Sequence, residues 1–355
     1  MTIFFLAMGL PLMVLGAPPA ASASMSASET CLLEHLRHAD DATTVAELRT
    51  ACARLPATST DAGGRDAAAP SAAGKDALAT TGEEASGTPI QQRFASEIAL
   101  AIDRLGFLPH RPNYLMPISW ADGFSTDESS SRSNEIEFQV SLKLPFTLPA
   151  LRGRPDLPVV YFAYTGTAWW QAYDQDRSAP FREYNHAPEL FVQWPLNRRI
   201  GGLTARLVDA GFEHQSNGRS APRSRSWNRL FAQIDIDYRE RYWASLRTWW
   251  RIPEDPKPFE GAAAGDDNPD ISRYLGYGAL RFGYSSRGLS WNMLLRHGLR
   301  RGGKGALEFN LSYPTGFNPK TRWLLRWFDG YGDSLVDYDR RVQRIGIGLM
   351  LNDWY

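Results

Sequence analysis

From about residue 113 onward, apolar and polar residues alternate along the chain. Ile136, Phe138, Val140, Leu142 and Leu144 interleave with Glu135, Glu137, Gln139, Ser141 and Lys143. A period of two is the signature of a β-strand with one apolar and one polar face. The closing segment repeats it: Ile345, Ile347, Leu349 and Leu351 alternate with Arg344, Gly346, Gly348 and Met350, and Tyr355 stands in phase with the apolar face. Further strands are expected near Asn113–Ala121, Pro158–Gln171, Glu189–Leu196, Leu203–Ser216, Ser226–Tyr238, Tyr242–Ile252, Ile271–Tyr284, Leu289–Leu299, Ala306–Leu311 and Thr321–Trp327. With the two above they make about twelve, an even number as bacterial membrane barrels have. An apolar strand left exposed at the end of a soluble protein would invite edge-to-edge pairing. The pattern therefore predicts an all-β, twelve-stranded antiparallel transmembrane barrel. Its polar inner face could line a water channel or hold a packed hydrogen-bond network.

Two strands break the pattern in the same place. Val208, Ala210, Phe212, His214 and Ser216 share one face, so a His and a Ser stand side by side on an apolar stripe. Asn228 opens the next such stripe, ahead of Leu230, Ala232, Ile234, Ile236 and Tyr238. A His beside a Ser offers a base and a nucleophile, and on a lipid-facing surface the substrate could be lipid. Asn228 could accept from the His ring and fix its tautomer, without the penalty of a carboxylate facing lipid. By spacing alone, the three residues read more readily as polar caps of a loop. The Ser-, Arg- and Gly-rich stretch from Asn217 to Trp227 is ordinary turn chemistry.

Composition narrows the picture. Thirty-nine basic residues balance 39 acidic ones, so there is no field to attract nucleic acid. Hydrophobic residues make up 43% of the chain and mean hydropathy is −0.37. No internal segment is long and apolar enough for a spanning helix. A barrel tolerates this profile because only alternate residues need be apolar.

The first 94 residues are different. Residues 1–23 carry no charged side chain, are apolar from Ile3 to Leu15 and offer Ala21-Ser22-Ala23, so they read as a secretory signal cleaved between Ala23 and Ala27. Residues 24–55 form a small module with helical spacing at Val45, Leu48, Cys52 and Leu55. Cys31 and Cys52 lie within it, and in an oxidising periplasm they are expected to pair. His35 and His38 of the same module are expected to face solvent. Residues 56–88 are rich in Ala, Gly, Ser and Thr, and 56–94 read as a linker, leaving 95–355 as the barrel. His110, His186 and His297 read as isolated strand or loop residues.

The run HQSNGRSAPRSRSWNRL from His214 closely resembles the active-site segment of the outer membrane phospholipase A family. Four more segments match in order: SAPFREYNHAPELF from Ser178, DDNPDISRYLGY from Asp266, LSYPTG from Leu311 and GYGDSLVDYDRRVQRIGIGLMLNDWY from Gly330. The resemblance spans about residues 95 to 355 and implies a twelve-stranded outer-membrane barrel with its active site towards the outer leaflet. It implies Ser216 as nucleophile, His214 as base, Asn228 as orienting residue and the Gly218 N–H as oxyanion donor. It also implies calcium as cofactor, held by the Arg219 carbonyl, Ser224, Asp267 and, from a partner subunit, Ser178. All are hard oxygen donors of the kind calcium prefers. Ala221 stands where the family often has an Asp, so calcium should be held weakly by a monomer.

Two functions of different class follow. One is a calcium-dependent phospholipase, monomeric at rest and dimeric when active, hydrolysing sn-1 and sn-2 acyl esters of phospholipids and lysophospholipids. The other is a non-enzymatic barrel, a pore or a structural protein, on the same scaffold. Such a barrel would have let the outward trio decay, whereas all three residues stand here at the family's spacing. An enzyme working on the outer surface needs no pore, so the first reading also expects a filled interior.

Overall fold

The structure is a computed structural model that describes residues 88–94, 97, 106–124, 133–146, 157–259, 262, 264–298, 304–318 and 320–351. The expectations for the signal, the helical module with Cys31 and Cys52, and the closing residues 352–355 lie outside the described residues.

Twelve long strands close a ring. In chain order they are β2 (Tyr114–Asp122), β3 (Asn134–Phe146), β4 (Val159–Trp170), β5 (Phe181–Ile200), β6 (Leu203–Ser216), β7 (Ser226–Tyr238), β8 (Tyr242–Arg251), β9 (Gly278–Tyr284), β10 (Ser290–His297), β11 (Gly305–Pro314), β12 (Arg322–Tyr331) and β13 (Arg341–Met350). Each pairs antiparallel with its neighbours in sequence, and β13 pairs back onto β2, so no edge remains open. A two-residue bridge, β1 (Leu108–Pro109), adds to β3 beyond the end of β2. Pro117 cannot donate to a ladder, and the register shifts there, between Met116 and Ser119.

The alternation resolves as expected. Ile118 on β2 and Ile347 on β13 are 65% and 53% exposed, whereas Glu135, Glu137, Ser141 and Lys143 are fully buried inside. A belt of exposed Leu, Ile, Phe and Trp is the surface a barrel turns to lipid. The start of β2 and the short turns between β5 and β6 and between β7 and β8 mark one end of the barrel, which also carries the longer β3–β4 connection. The longer connections between β4 and β5, β6 and β7, β8 and β9, and β12 and β13 mark the other. Short turns face the periplasm in such barrels and long loops the exterior.

Of the two possible interiors, the structure has the packed one. Arg344 joins Glu135 at 3.0 Å and Asp333 at 2.9 Å, while Arg182 joins Glu135 at 2.5 Å and Asp337 at 2.6 Å. A second cluster sets Arg247 between Glu189 (2.7 Å) and Glu213 (2.8 Å), with Arg229 on Glu213 at 2.7 Å. Buried charges must be paired in this way, because desolvation of an unpaired ion is prohibitive. A cavity of about 340 Å³ remains in the interior, lined by Arg229, Arg247, Glu213 and Asp333 among others.

Two elements differ from the sequence reading. Residues 88–94, read as the end of a linker, pack against the barrel strands. Residues 89–94 and 97 are helical (α1), and Ile90 packs with Leu207 and Trp243 inside the wall. Asp237 accepts from the Ile90 N–H at 3.3 Å, and Glu97 joins Lys143 at 2.8 Å. The segment read as one strand over Ile271–Tyr284 divides into a short helix α2 (Ile271–Leu275) and β9. Ile271 and Leu275 are four apart and both buried against Leu335 and Tyr338, so the spacing there was helical.

Candidate active site

Register decides what the outward polar residues can do. Across β6 and β7, His214 stands directly opposite Asn228, as Ser216 does opposite Ser226. Cross-strand partners have Cβ atoms about 5 Å apart, and here the side chains meet: His214 Nδ1 lies 2.9 Å from Asn228 Oδ1. An amide oxygen only accepts, so Nδ1 carries the proton and Nε2 is left basic. Ser216 lies on the same face, two residues along. All three are half-buried at the long-loop end of an otherwise apolar stripe.

The β6–β7 loop is built around a residue that sequence reading passed over. Buried Asn217 accepts from the Arg225 N–H at 2.9 Å and donates to the Arg223 carbonyl at 2.8 Å, which closes the loop on itself. Gly218 has φ +62°, a left-handed conformation in which a side chain would be strained. It follows the nucleophile candidate by two residues, where an oxyanion donor is expected. Arg219 turns its guanidinium onto Glu183 at 2.9 Å and onto the Arg182 carbonyl. The side chain is thus a loop contact, and only the carbonyl is left for a cation.

The expected calcium residues are partly gathered. Ser224 donates to Asp267 at 2.7 Å, bringing the β6–β7 and β8–β9 loops together. Asp266 is held by Arg251 at 2.6 Å, and Asn268 accepts from the Ser226 N–H at 3.0 Å, so the Asp-Asp-Asn turn is pinned on both sides of Asp267. Burial opposes ionisation of Asp267, but hydrogen bonds from Lys257 and Ser224 outweigh it and hold the carboxyl below the usual carboxylate range. Lys257 Nζ is 2.5 Å from its other oxygen. Ser178 belongs to a separate loop, between β4 and β5, where it has φ +60° and its N–H donates to Gln175.

Among the described residues no three His, Cys, Asp or Glu side chains converge to hold a metal. The donors present suit calcium in kind, as hydroxyl, carbonyl and carboxylate oxygens. They fall short in number, since calcium takes six to eight oxygens and the expected residues of one chain include a single carboxylate, Asp267, already paired with Lys257.

Three further residues at the site escaped the sequence reading. His186, read as isolated, stands opposite Ser216 across β5 and β6. Its Nε2 is 3.8 Å from where a Cβ on Gly218 would lie, and Tyr164 Oη meets its Nδ1 at 2.6 Å. Glu254 accepts from Asn228 Nδ2 at 3.0 Å. Lys257 is the third. Their positions depend on pairing between strands and on loop paths, for which the alternation carries no signal. His110 turns inward onto Glu189 at 3.1 Å, and His297 ends β10.

The family model for phospholipase A1 matches residues 90–351. The chain belongs to the phospholipase A1 family. Phospholipase A1 of Klebsiella pneumoniae is 35% identical over 262 residues, covering 70% of this chain and 82% of that one. Phospholipase A1 of Escherichia coli K12 is 36% identical over 234 residues, 64% and 72% of the two chains. Among solved structures, outer membrane phospholipase A from Escherichia coli superposes with a TM-score of 0.63 at 32% identity, covering 73% of this chain and 98% of that one. The outer membrane phospholipase of Salmonella typhi, a dimer with bound calcium, gives 0.64 at 32%, covering 74% and 98%. Membership of this family and the closed twelve-stranded ring identify an outer-membrane β-barrel.

Proposed function

We propose that this member of the phospholipase A1 family hydrolyses the acyl esters of phospholipids at the outer surface of its barrel, with Ser216, His214 and Asn228 as the catalytic trio. The observation that carries the reading is the 2.9 Å contact between His214 Nδ1 and Asn228 Oδ1 on a lipid-facing stripe, beside Ser216. The relatives named above are phospholipases, which supports the same reaction here.

The steps follow from the residues. A phospholipid lying along the barrel wall presents its ester at the depth of Ser216. Ser216 Oγ attacks the acyl carbonyl and its proton passes to His214 Nε2. Asn228 Oδ1 holds the ring and steadies the imidazolium. The Gly218 N–H donates to the oxyanion of the tetrahedral intermediate. Collapse expels the lysolipid alkoxide, which takes the proton back from His214. Water, deprotonated by the same nitrogen, then releases the fatty acid from Ser216. Hydrolysis of both sn-1 and sn-2 esters, and of lysophospholipids, is expected.

One neutral N–H is a weak partner for an oxyanion, and bound calcium would supply the missing positive charge. The Arg219 carbonyl, Ser224 and Asp267 would hold it, with Ser178 contributed by a partner subunit. The calcium-bound dimer of the Salmonella relative supports this arrangement. A resting monomer would then be nearly silent, and loss of lipid asymmetry would supply the substrate that favours the dimer. No observation favours the pore reading, since the interior holds α1 and two clusters of ion pairs.

The test is fatty-acid release from phospholipid vesicles, with calcium or chelator, read beside chemical crosslinking. Activity and crosslinked dimer should appear together on adding calcium, and Ser216→Ala should be inactive in both conditions. Full turnover from a species that remains monomeric would remove the shared-calcium model. Full turnover by Ser216→Ala would remove the trio.

A further inference from the structure

The outward stripe of β8 continues beyond the end of the strand. Trp250 pairs with Leu230, and the next even residue, Ile252, donates its N–H to the Asn228 carbonyl at 2.8 Å. The chain therefore still runs beside β7 at the level of the candidate site. Glu254, two residues on, falls on the same side. Its Oε1 accepts from Asn228 Nδ2 at 3.0 Å, and it is half-buried there.

The contact has a directional consequence. A carboxylate can only accept, so the –NH₂ end of the Asn228 amide must face Glu254. The Oδ1 end must then face His214, and the ring must carry its proton on Nδ1. One acceptor beyond the trio thus selects the amide orientation, the tautomer and the basic Nε2. A neutral partner that can both donate and accept would not force that choice. The carboxylate also polarises the amide, so Oδ1 becomes a stronger acceptor for an imidazolium. A charge directly beside His214 would sit on the lipid face. In the loop, the same charge stays partly in water and acts through Asn228.

The loop is built to hold Glu254 in place. The Asp266 N–H donates to the Asp255 carbonyl at 2.8 Å, tying its two limbs together. Lys257 anchors to Asp267 at 2.5 Å and to the Ala262 carbonyl at 2.8 Å. Gly265, at φ +102°, packs so closely that a Cβ would come within 2.8 Å of Lys257 Cα. Preorganisation of this kind is what a positioning group needs.

We propose that Glu254 is a positioning residue of the hydrolytic site, acting on His214 through Asn228. The proposal rests on the hydrolytic reading above. Its test compares Glu254→Ala and Glu254→Gln, each in wild-type and Asn228→Ala backgrounds, using the full chain in detergent with calcium and a micellar phospholipid. Glu254→Ala should lower kcat by about 10- to 100-fold, as expected for a hydrogen bond to a charged group, with KM nearly unchanged. Glu254→Gln, whose amide oxygen can still accept from Asn228, should recover part of that loss. In the Asn228→Ala background neither variant should lower kcat further, because the element they act through is absent. An unchanged kcat in Glu254→Ala overturns the proposal, and so does an equal loss in the Asn228→Ala background. Heat-modifiable gel migration reports folding, and Gln, isosteric with Glu, keeps the test valid should Ala perturb the loop. Ser216→Ala runs in parallel. If it retains activity the hydrolytic reading fails; if it is inactive while Glu254→Ala matches wild type, this proposal alone fails.

Discussion

The two faces of the barrel wall use polar residues in opposite ways. Inside, buried Glu135, Glu189, Glu213 and Arg344 and half-buried Arg182 and Arg247 pair with one another at 2.5 to 3.0 Å. Outside, the polar residues of the stripe are His, Ser, Asn and Tyr, which can be neutral, and the nearest carboxylate, Glu254, reaches them from a loop. The difference follows from the two solvents. Charges in the interior can be matched by opposite charges on the facing strands. Lipid offers no counter-charge, so chemistry on that side depends on neutral hydrogen bonds and on charge borrowed from the aqueous rim. The interior polar groups pair with one another across the barrel, and the exterior ones are those to which the proposed function assigns the reaction.

The sharpest separation of the two roles is expected from Ser216→Ala. Activity should fall by at least about 10³-fold, as when a triad nucleophile is removed. The barrel should keep its heat-modifiable migration, because a small apolar side chain suits the lipid face. A variant that loses both would break the distinction.

The converse change is Arg344→Ala. It leaves Glu135 and Asp333 as buried carboxylates without this partner, at a cost of about 3–5 kcal/mol. The midpoint of urea unfolding in detergent or vesicles should drop, while turnover per folded molecule stays within about twofold, since the proposed function places the chemistry on the exterior face. Wild-type stability in this variant would show that the inner pairs are not holding the wall.

Asn228→Ala is expected to fall in between, lowering kcat by roughly 10- to 10³-fold without reaching the Ser216→Ala floor, because it orients and makes no bond. Steady-state rates on micellar substrate decide this. A rate equal to wild type would take Asn228 out of the site.

The smallest effect concerns the rim. Lys257 pairs with Asp267, the carboxylate among the expected calcium residues. Lys257→Ala should tighten calcium binding by about fivefold, on the order of 1 kcal/mol for a pair near the surface. Terbium luminescence or titration calorimetry reads this without an activity assay. Unchanged or weaker binding would show that Lys257 does not compete for Asp267.

The alternation alone determined that this chain forms a wall with one apolar and one polar face, and on which face His214, Ser216 and Asn228 stand. A period of two leaves no freedom once the strand exists, and a shift of one residue would bury every apolar side chain of the stripe in the polar interior. It also gave the number of long strands. It failed at Ile271–Leu275, where two apolar residues four apart fit a helix, and at residues 88–94, where Ile90, the anchor of a short helix, follows directly on a small-residue linker. Only the tertiary structure decided that His214 meets Asn228, that His186 stands opposite Ser216, and that the interior holds α1 and clusters of ion pairs. Those contacts depend on register across the sheet and on closure of the ring, which bring together residues tens to hundreds of positions apart. Glu254 and Lys257 were hidden for a related reason. They reach the site through a loop, and the path of a loop is set by the groups that brace it rather than by any periodicity along the chain.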